Sequence, residues 1–252
     1  MIVRFMSKSK EMQMPIFNAT YKGIPIKSDS RVHVAVLDIL RNCLSPISTL
    51  KTINILDVAT GRGSLAQRVI DSFSNIVIDC NDLEDGVLAK GARRISSLDL
   101  NFDFNFEEKY DVVLAIEVIE HLENPFHFIR MLQKHLKPRG FILVTTPNVD
   151  SFFDRLWFLF FGYSFYFGAR GIVNSGGHIT MCPVWLLRHI AESQNLELEV
   201  IPNTIDSKSL LGFKGRTLLS LLSPLKLLLK DVNDQSTTIC IFRNKNTSAD
   251  NQ

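Results

Sequence analysis

The stretch Ile53–Ser64, INILDVATGRGS, decides the fold of this chain. Its apolar residues around Leu56 are typical of a strand buried in a parallel sheet. The strand ends at Asp57, and Gly61 and Gly63 follow in a turn where the backbone can approach a ligand closely, because glycine has no Cβ. A glycine pair alone is a weak signal, since a plain tight turn has the same composition.

Strands and helices alternate along the chain on both sides of this stretch. Apolar residues at helical spacing indicate helices over 32–44 (capped by Ser28 or Ser30), 64–72, 83–95, 125–136 and 183–194. Apolar runs indicate strands over 76–80, 111–118, 141–148, 196–201 and 237–243. This alternation predicts an α/β fold with helices on both faces of a parallel sheet, and ligands bind such sheets at the carboxyl ends of the strands.

The composition is that of an ordinary globular protein. The 252 residues carry a formal net charge of +2, and the four cysteines are too far apart to suggest a zinc site. The first ten residues, MIVRFMSKSK, contain no apolar run of signal-peptide length. We therefore expect a cytoplasmic protein, with peripheral contact at the inner membrane face as an additional expectation from features described below.

Three segments resemble class I S-adenosylmethionine-dependent methyltransferases: LDVATGRG at 56–63, FEEKYDVVLAIEVIEHLENP at 106–125 and LKPRGFILVTTPN at 136–148. The resemblance covers roughly residues 30–243. It implies a Rossmann-like, doubly wound, mostly parallel seven-stranded sheet with an antiparallel last strand. A nicotinamide-dependent Rossmann enzyme would instead need a third glycine where this chain has Ala66.

The resemblance also implies S-adenosylmethionine as the cofactor and a set of residues that bind it: Asp57, Ala59, Gly61, Gly63, Asp82, Asp99 and Ile116. In this family the residue at Asp57 organises contacts to the methionyl amine. Asp82 is expected to accept the ribose hydroxyls, with Asp79 as its competitor, and Asp99 to meet the adenine amino group. Alternatively, Asp82 caps a following helix and Asp99 is a turn residue.

Two carboxylates and an imidazole follow the strand that begins at Asp111. If the chain turns helically there, Glu117, Glu120 and His121 share one face and suit a catalytic acid-base role, with His121 as the preferred base. In some relatives this pattern resembles a magnesium or manganese site completed by a later histidine, which would be His178 here. The alternative is a metal-free role as catalytic base or hydrogen bonder. The remaining histidines, His33, His127, His135 and His189, are expected at surface or boundary positions.

An aromatic insertion over 149–178 interrupts the pattern after the fifth strand. Its uncharged run, 156–169, is shorter than the roughly 17–25 residues of a bilayer span, so it is either a lid over the acceptor or an interfacial helix. The glycines at 176 and 177 would let the following loop bend toward the pocket. Leucines interleaved with basic residues over 210–230 favour the membrane interpretation but equally suit a buried helix.

The sequence thus predicts a single methyltransferase domain over 1–243. Residues 1–28 would form an N-terminal cover, 206–234 a helical insertion and 244–252 a disordered tail. The expected reaction is O-methylation of a small-molecule or lipid- or glycan-linked acceptor. The alternatives are an RNA 3′-end 2′-O-methyltransferase, although no basic stripe suggests a nucleic-acid surface, and a non-catalytic S-adenosylmethionine-binding protein. The oligomeric state stays open.

Overall fold

The computed structural model describes residues 19–45, 51–84, 86–167, 177–207, 213–229 and 232–245. The strands are β1 Thr20–Tyr21, β2 Ile24–Pro25, β3 Ile53–Asp57, β4 Ile76–Asn81, β5 Arg93–Ser96, β6 Tyr110–Ile116, β7 Leu136–Pro147, β8 Leu196–Ile201 and β9 Thr237–Asn244. The α-helices are α1 Ser30–Leu44, α2 Ser64–Ser72, α3 Pro125–Lys134, α4 Phe152–Phe161, α5 Val184–Ser193 and α6 Phe213–Leu221. Short 3-10 helices cover Ile119–His121 and Ser223–Leu228. Most of the expected N-terminal cover and tail, and Gly176, lie outside the described residues.

Seven strands form one sheet in the order β5-β4-β3-β6-β7-β9-β8. The first five of these strands are parallel, whereas β9 runs antiparallel to both β7 and β8. The predicted doubly wound sheet with an antiparallel last strand is therefore confirmed. The strand order reverses between β3 and β6, and this opens a crevice at their carboxyl ends.

Helices cover both faces of the sheet. Helices α3 and α5 pack on one face with Phe128 and Leu187 fully buried, and α1 and α2 pack on the other with Val36 and Val69 fully buried. The residue that caps α1 is Asp29 rather than either neighbouring serine, because its carboxylate accepts a hydrogen bond from the backbone N–H of Arg31 at 2.9 Å. Asp29, which also lines the cavity described below, is thereby placed at a helix start.

The helix predicted over 83–95 is wrong. The described residues of 83–92 form turns and irregular backbone, and 93–96 form the edge strand β5 beside β4. Gly86 and Gly91 have φ of +100° and +92°, a conformation that a right-handed helix cannot contain. Exposed Leu83 and Leu88 produced an apparent helical stripe, although they pack against no core.

Gly63 gives a measurable test of the turn after β3. Its φ is +88°, and a Cβ there would lie 2.9 Å from the Ala89 Cβ. We expect Gly63→Ala to lower the free energy of unfolding by about 2–4 kcal/mol, because backbone strain and overpacking add. The matched control is Gly23→Ala, where φ is +80° but nothing lies within 4 Å, and only about 1 kcal/mol should be lost. Equal losses in urea denaturation would show that the contact with Ala89 does not matter.

The aromatic insertion builds a separate hydrophobic cluster beside the sheet. Phe152, Phe153 and Trp157 of α4 are buried in this cluster, where they pack with Leu219 of α6. In the last turn of α4, Phe158, Leu159 and Phe160 point away from this cluster and are exposed, whereas Phe161 packs on Trp157. Within the part of the chain that the structure describes, no helix has the length and apolar character needed to cross a membrane.

Candidate active site

A cavity of about 600 Å³ opens at the carboxyl ends of β3, β4 and β6. Its wall is formed by residues from 25–33, 57–65, 82–84 and 116–121, together with Pro147, Tyr166, His178, Ser236 and Thr237. The strand-order reversal thus brings together segments that are distant in sequence. The cavity contains the glycine turn at one end and the predicted histidine cluster at the other.

Asp57 is the most unusual group of the turn end. Its side chain is 1% exposed, and neither carboxylate oxygen has a hydrogen-bond partner among the described residues. Burial raises the pKa of Asp57 to about 7 with help from the charge of Asp82, although the nearby Thr60 hydroxyl and Ala59 N–H act to lower it. A buried carboxylate without partners costs free energy unless a donor or cation reaches it. The site therefore fits the ammonium group of a methionyl ligand, as the sequence predicts.

Asp82 lies beside the same turn and lines the cavity. One carboxylate oxygen accepts from the Gly61 N–H at 2.6 Å and the other from the Glu84 N–H at 2.9 Å. Each oxygen keeps a lone pair for a ligand hydroxyl. The competitor, Asp79, does not line the cavity, because its carboxylate is bound by Arg93 at 2.6 Å and by the Tyr110 hydroxyl at 2.9 Å.

Some of the other predicted cofactor residues line the cavity, and the rest lie outside its wall. Ala59, Gly61 and Ile116 line the cavity, whereas Gly63 does not and serves the packing against Ala89. Asp99 also lies outside the cavity wall. Its carboxylate accepts from the backbone and side-chain nitrogens of Asn101, at 2.9 and 3.1 Å, which is the arrangement of a turn residue.

Glu117 follows β6 directly and has φ of +49°, a rare conformation for a residue with a side chain. Thr145 holds it there, since the Thr145 hydroxyl donates to Glu117 Oε1 at 2.8 Å and the Glu117 N–H donates to Thr145 Oγ1 at 3.0 Å. Burial raises the pKa of Glu117 to about 7. Because Glu117 lies outside the following 3-10 helix, it does not share a helical face with Glu120 and His121.

Glu120, His121 and His178 form a compact cluster at the other end. One potential ligand atom from each lies within 4.8 Å of the others, and the two imidazole rings are 4.8 Å apart. Glu120 is fully buried, and its carboxylate oxygens have no hydrogen-bond partner among the described residues. Burial and the charge of Glu117 raise the pKa of Glu120 well above its usual value. The structure thus groups three of the four predicted metal ligands. Glu117 lines the same cavity and lies close enough for its charge to act on Glu120, but it is not in this group and its carboxylate is bound by Thr145.

The hydrogen bonding of His178 fixes its tautomer. Its Nδ1 lies 3.1 Å from the Tyr166 carbonyl oxygen, which can only accept, so Nδ1 carries the proton. Burial and the neighbouring His121 lower the pKa of His178 to about 4, and the ring is neutral near pH 7. Its Nε2, 3.9 Å from Glu120 Oε1, therefore presents an unshared electron pair. That nitrogen can accept a proton or bind a metal ion.

Several cavity residues were not among the predicted site residues: Lys27, Ser28, Asp29, His33 and Tyr166. The expectation that His33 is a surface or boundary residue is wrong, because it is 4% exposed and its Nε2 lies 3.0 Å from the Ser28 hydroxyl. Burial and the charge of Arg68 lower the pKa of His33 to about 4. Its place at helical spacing beside Val32 and Val36 was the one available signal of burial.

Comparisons with known proteins identify O-methyltransferases among the relatives of this chain. The ubiquinone biosynthesis O-methyltransferase of Rickettsia prowazekii is 30% identical over 122 residues, which are 46% of this chain and 48% of the relative. The malonyl-(acyl-carrier protein) O-methyltransferase of Halalkalibacterium halodurans is 30% identical over 111 residues, covering 40% of this chain and 41% of the relative. The chain thus matches about half, or less, of the length of these curated relatives.

Solved structures show the same fold. The plantazolicin methyltransferase BpumL, in complex with SAH, matches with a TM-score of 0.56 at 13% identity, over 86% of this chain and 84% of its own. A family model described as a methyltransferase domain matches residues 29–200, which is more than half of the chain. With the doubly wound sheet and the cavity at its strand-order reversal, this match shows that the chain belongs to the methyltransferase domain family.

Proposed function

We propose that this chain transfers the methyl group of S-adenosylmethionine to an oxygen atom of a small or carrier-linked acceptor. The observation that carries the proposal is the buried, partnerless carboxylate of Asp57 in the cavity wall beside the glycine turn. The relatives named above are O-methyltransferases, and their names refer to ubiquinone biosynthesis and to malonyl-(acyl-carrier protein) rather than to RNA. They support an enzyme of small acceptors over the RNA-modifying and non-catalytic alternatives.

Different residues of the cavity would bind different parts of the cofactor. Asp57 would accept the methionyl ammonium, and Asp82 would accept the ribose hydroxyls with the lone pairs that Gly61 and Glu84 leave available. Ile116, at the end of β6, contributes apolar surface between the two ends. When bound, S-adenosylmethionine supplies a methyl group that its sulfonium makes electrophilic. The chain's remaining tasks are to align the acceptor oxygen and to remove its proton.

The histidine cluster is suited to proton removal. His178 Nε2 is unprotonated and lines the same cavity as His121, so an acceptor hydroxyl placed there can donate its proton to an imidazole. A general base must be held within hydrogen-bond reach of the proton that it removes. The carbonyl of Tyr166 supplies that restraint. The orientation makes His178 a candidate for the base alongside His121, whereas its pKa of about 4 makes it a weaker proton acceptor near pH 7 than an ordinary imidazole.

A divalent cation, Mg²⁺ or Mn²⁺, is a second proposal for the same cluster. A fully buried carboxylate such as Glu120 is stabilised by a proton or by a cation. One nitrogen of each of the two imidazoles lies within 4.8 Å of a Glu120 carboxylate oxygen. Glu120, His121 and His178 would hold the ion, and Glu117 would stay with Thr145. A bound ion would lower the pKa of an acceptor hydroxyl and orient it.

Cofactor binding and product identification test the proposed reaction. Titration calorimetry should show saturable binding of S-adenosylmethionine and of its demethylated product. Incubation with methyl-labelled cofactor and a small-molecule extract of the source cell, followed by mass spectrometry, should show acceptors that gain one labelled methyl group on oxygen. Absence of saturable binding for both compounds would refute the proposal, and binding without any labelled product would favour the non-catalytic alternative.

Peripheral membrane contact is supported by the end of α4. Phe158, Leu159, Phe160 and Phe161 are 54%, 74%, 61% and 37% exposed. Successive helical residues differ by about 100° around the axis, so three exposed residues in a row cover most of this turn. Phe161 closes the remaining side, because its ring packs on Trp157 with the ring centres 4.3 Å apart. A turn that is apolar all round is suited to immersion in the interfacial region of a bilayer. We propose that this turn touches the membrane when the acceptor is lipid-linked.

The double variant Phe158→Ser/Phe160→Ser tests the membrane contact. We expect its partitioning onto phosphatidylcholine/phosphatidylglycerol vesicles in flotation to fall about tenfold or more, because two apolar side chains no longer leave water. Val34→Ser, at a 50% exposed apolar position on α1, is the control and should float like the natural protein. If the natural protein itself stays with the soluble fraction, the exposed turn has another role.

A further inference from the structure

Asp154 is a buried carboxylate in the aromatic insertion and does not line the cavity. It lies in the first turn of α4 and is 2% exposed. Its Oδ1 accepts from the Ser164 hydroxyl at 2.9 Å and from the Phe165 N–H at 2.6 Å. Burial raises the pKa of Asp154 to about 6, so the group is ionised at pH 8. A carboxylate charge buried among aromatic side chains requires hydrogen-bond donors. Both donors to Asp154, the Ser164 hydroxyl and the Phe165 N–H, come from one turn.

That turn, residues 164–167, is organised around Ser164. The Tyr166 N–H donates to the Ser164 hydroxyl oxygen at 3.3 Å, and the Phe167 N–H donates to the Ser164 carbonyl at 3.3 Å. The turn then contacts the imidazole of His178 twice. The Tyr166 carbonyl accepts from His178 Nδ1 at 3.1 Å, and the Phe167 ring centre lies 5.4 Å from that of the imidazole.

The main chain next to His178 is held by a different element. The N–H groups of Ile179 and Thr180 donate to the Glu120 carbonyl at 2.8 and 3.0 Å. The 3-10 helix therefore determines where the backbone of His178 lies, whereas the turn 164–167 determines how its ring is oriented. Loss of the second restraint should leave the first intact.

We propose that Asp154 is a positioning residue that holds His178 in its Nδ1-protonated orientation through the turn 164–167, so that Nε2 faces Glu120 and His121. The inference rests on the proposed function, because it concerns the histidine that accepts a proton or binds a cation there. Partners of this indirect kind commonly change activity or metal affinity by about 10–100-fold when they are removed.

Asp154→Ala tests the proposal with readouts that a general loss of stability does not move. In ¹⁵N-histidine NMR at pH 8, the His178 signals should change from a single Nδ1-protonated tautomer to a mixture of tautomers. The kcat with an identified acceptor should fall about 10–100-fold, and any Mn²⁺ affinity should fall with it. The Kd for S-adenosylmethionine should stay within about twofold, since Asp154 lies outside the cavity.

Two variants provide matched comparisons. Asp154→Asn keeps an Oδ1 that can accept from both Ser164 and Phe165, so it should preserve the tautomer and most of the kcat. Asp150→Asn alters a carboxylate just before the same helix that accepts from the Val184 N–H at 2.8 Å, and it should behave like the natural protein. If Asp154→Ala does not fold, Ser164→Ala replaces it, because that change removes one of the two donors and the acceptor of the Tyr166 N–H.

An unchanged His178 tautomer in Asp154→Ala, or in Ser164→Ala where that variant is used, would overturn the proposal. A parallel loss of kcat and cofactor affinity would do so as well, since it would indicate a general structural role. The tautomer measurement requires no turnover. A protein that binds no S-adenosylmethionine would therefore refute the proposed function and still leave the positioning role of Asp154 open to this test.

Discussion

Replacing Asp57 by Asn should weaken S-adenosylmethionine binding about 30-fold or more. The two Asp57 oxygens are buried in the cavity wall and have no hydrogen-bond partner among the described residues, so an ammonium group would be their partner in the complex. Removing one member of a buried charged pair costs about 2–5 kcal/mol, and about 1.4 kcal/mol is a tenfold change in Kd. Titration calorimetry of both proteins measures the change.

The same substitution should stabilise the cofactor-free protein above neutral pH. The pKa of Asp57 is about 7 in the folded protein, whereas that of an aspartate in an unfolded chain is 3.8. The folded state therefore binds the extra proton between these values, and its stability falls as pH rises toward 7. The loss is on the order of 3–4 kcal/mol at pH 8. Asn carries no such charge, so Asp57→Asn should unfold at a higher temperature than the natural protein at pH 8.

Asp38→Asn provides the control for both effects, because it removes an exposed carboxylate of α1 outside the cavity. It should change neither cofactor affinity nor the pH dependence of the melting temperature. If Asp57→Asn binds S-adenosylmethionine like the natural protein, Asp57 does not hold the ligand. If the melting temperature of Asp57→Asn changes with pH as that of the natural protein does, the buried charge of Asp57 does not destabilise the fold.

Replacing Glu120 by Gln should lower Mn²⁺ affinity and kcat about 100-fold or more, if the cluster with His121 and His178 binds a cation as proposed. The carboxylate is the only anionic group in the cluster, and it is fully buried. An amide oxygen is a much weaker ligand for a hard divalent ion. The affinity for S-adenosylmethionine should stay unchanged, because Glu120 does not line the cavity.

Thermal unfolding adds an independent measurement for Glu120. A ligand at 100 times its Kd stabilises the folded state by about 2.7 kcal/mol, so Mn²⁺ should raise the melting temperature of the natural protein and not that of Glu120→Gln. Glu123→Gln, an exposed change two residues after the cluster, should respond like the natural protein. An activity that survives chelation unchanged would remove the cation and leave the histidines as proton acceptors.

Much of the scaffold could be predicted because its signals are local. The apolar strand before Asp57, the glycine turn and the Asn124–Pro125 helix start each depend on residues next to one another in sequence. The structure confirms the sheet and its antiparallel last strand. It also brings Asp57, Gly61 and Asp82, which stay predictions as cofactor residues, into one cavity wall. The helix expected over 83–95 failed for an equally local reason, since Gly86 and Gly91 adopt positive φ there.

The contents of the cavity were less predictable, because they depend on where distant segments meet. His33 resembled a surface position of α1, yet the helix carries it into the cavity wall beside Ser28. Tyr166 resembled one aromatic residue among many in the insertion, yet its carbonyl orients His178. Spacing suggested that Glu117 would join Glu120, yet the hydroxyl of Thr145, on the neighbouring strand, holds it elsewhere.

The sequence by itself determined most of the strands and helices, the glycine turn at 57–63 and the residue types available for chemistry. These follow from periodicity and from glycine conformation, which act over a few residues. Only the tertiary structure decided which carboxylates lose their solvent, which histidine nitrogen carries a proton and which residues restrain it. Those properties depend on burial, as for the carboxylate of Asp57, and on hydrogen bonds between residues that are not neighbours in sequence, as for His178 with Tyr166.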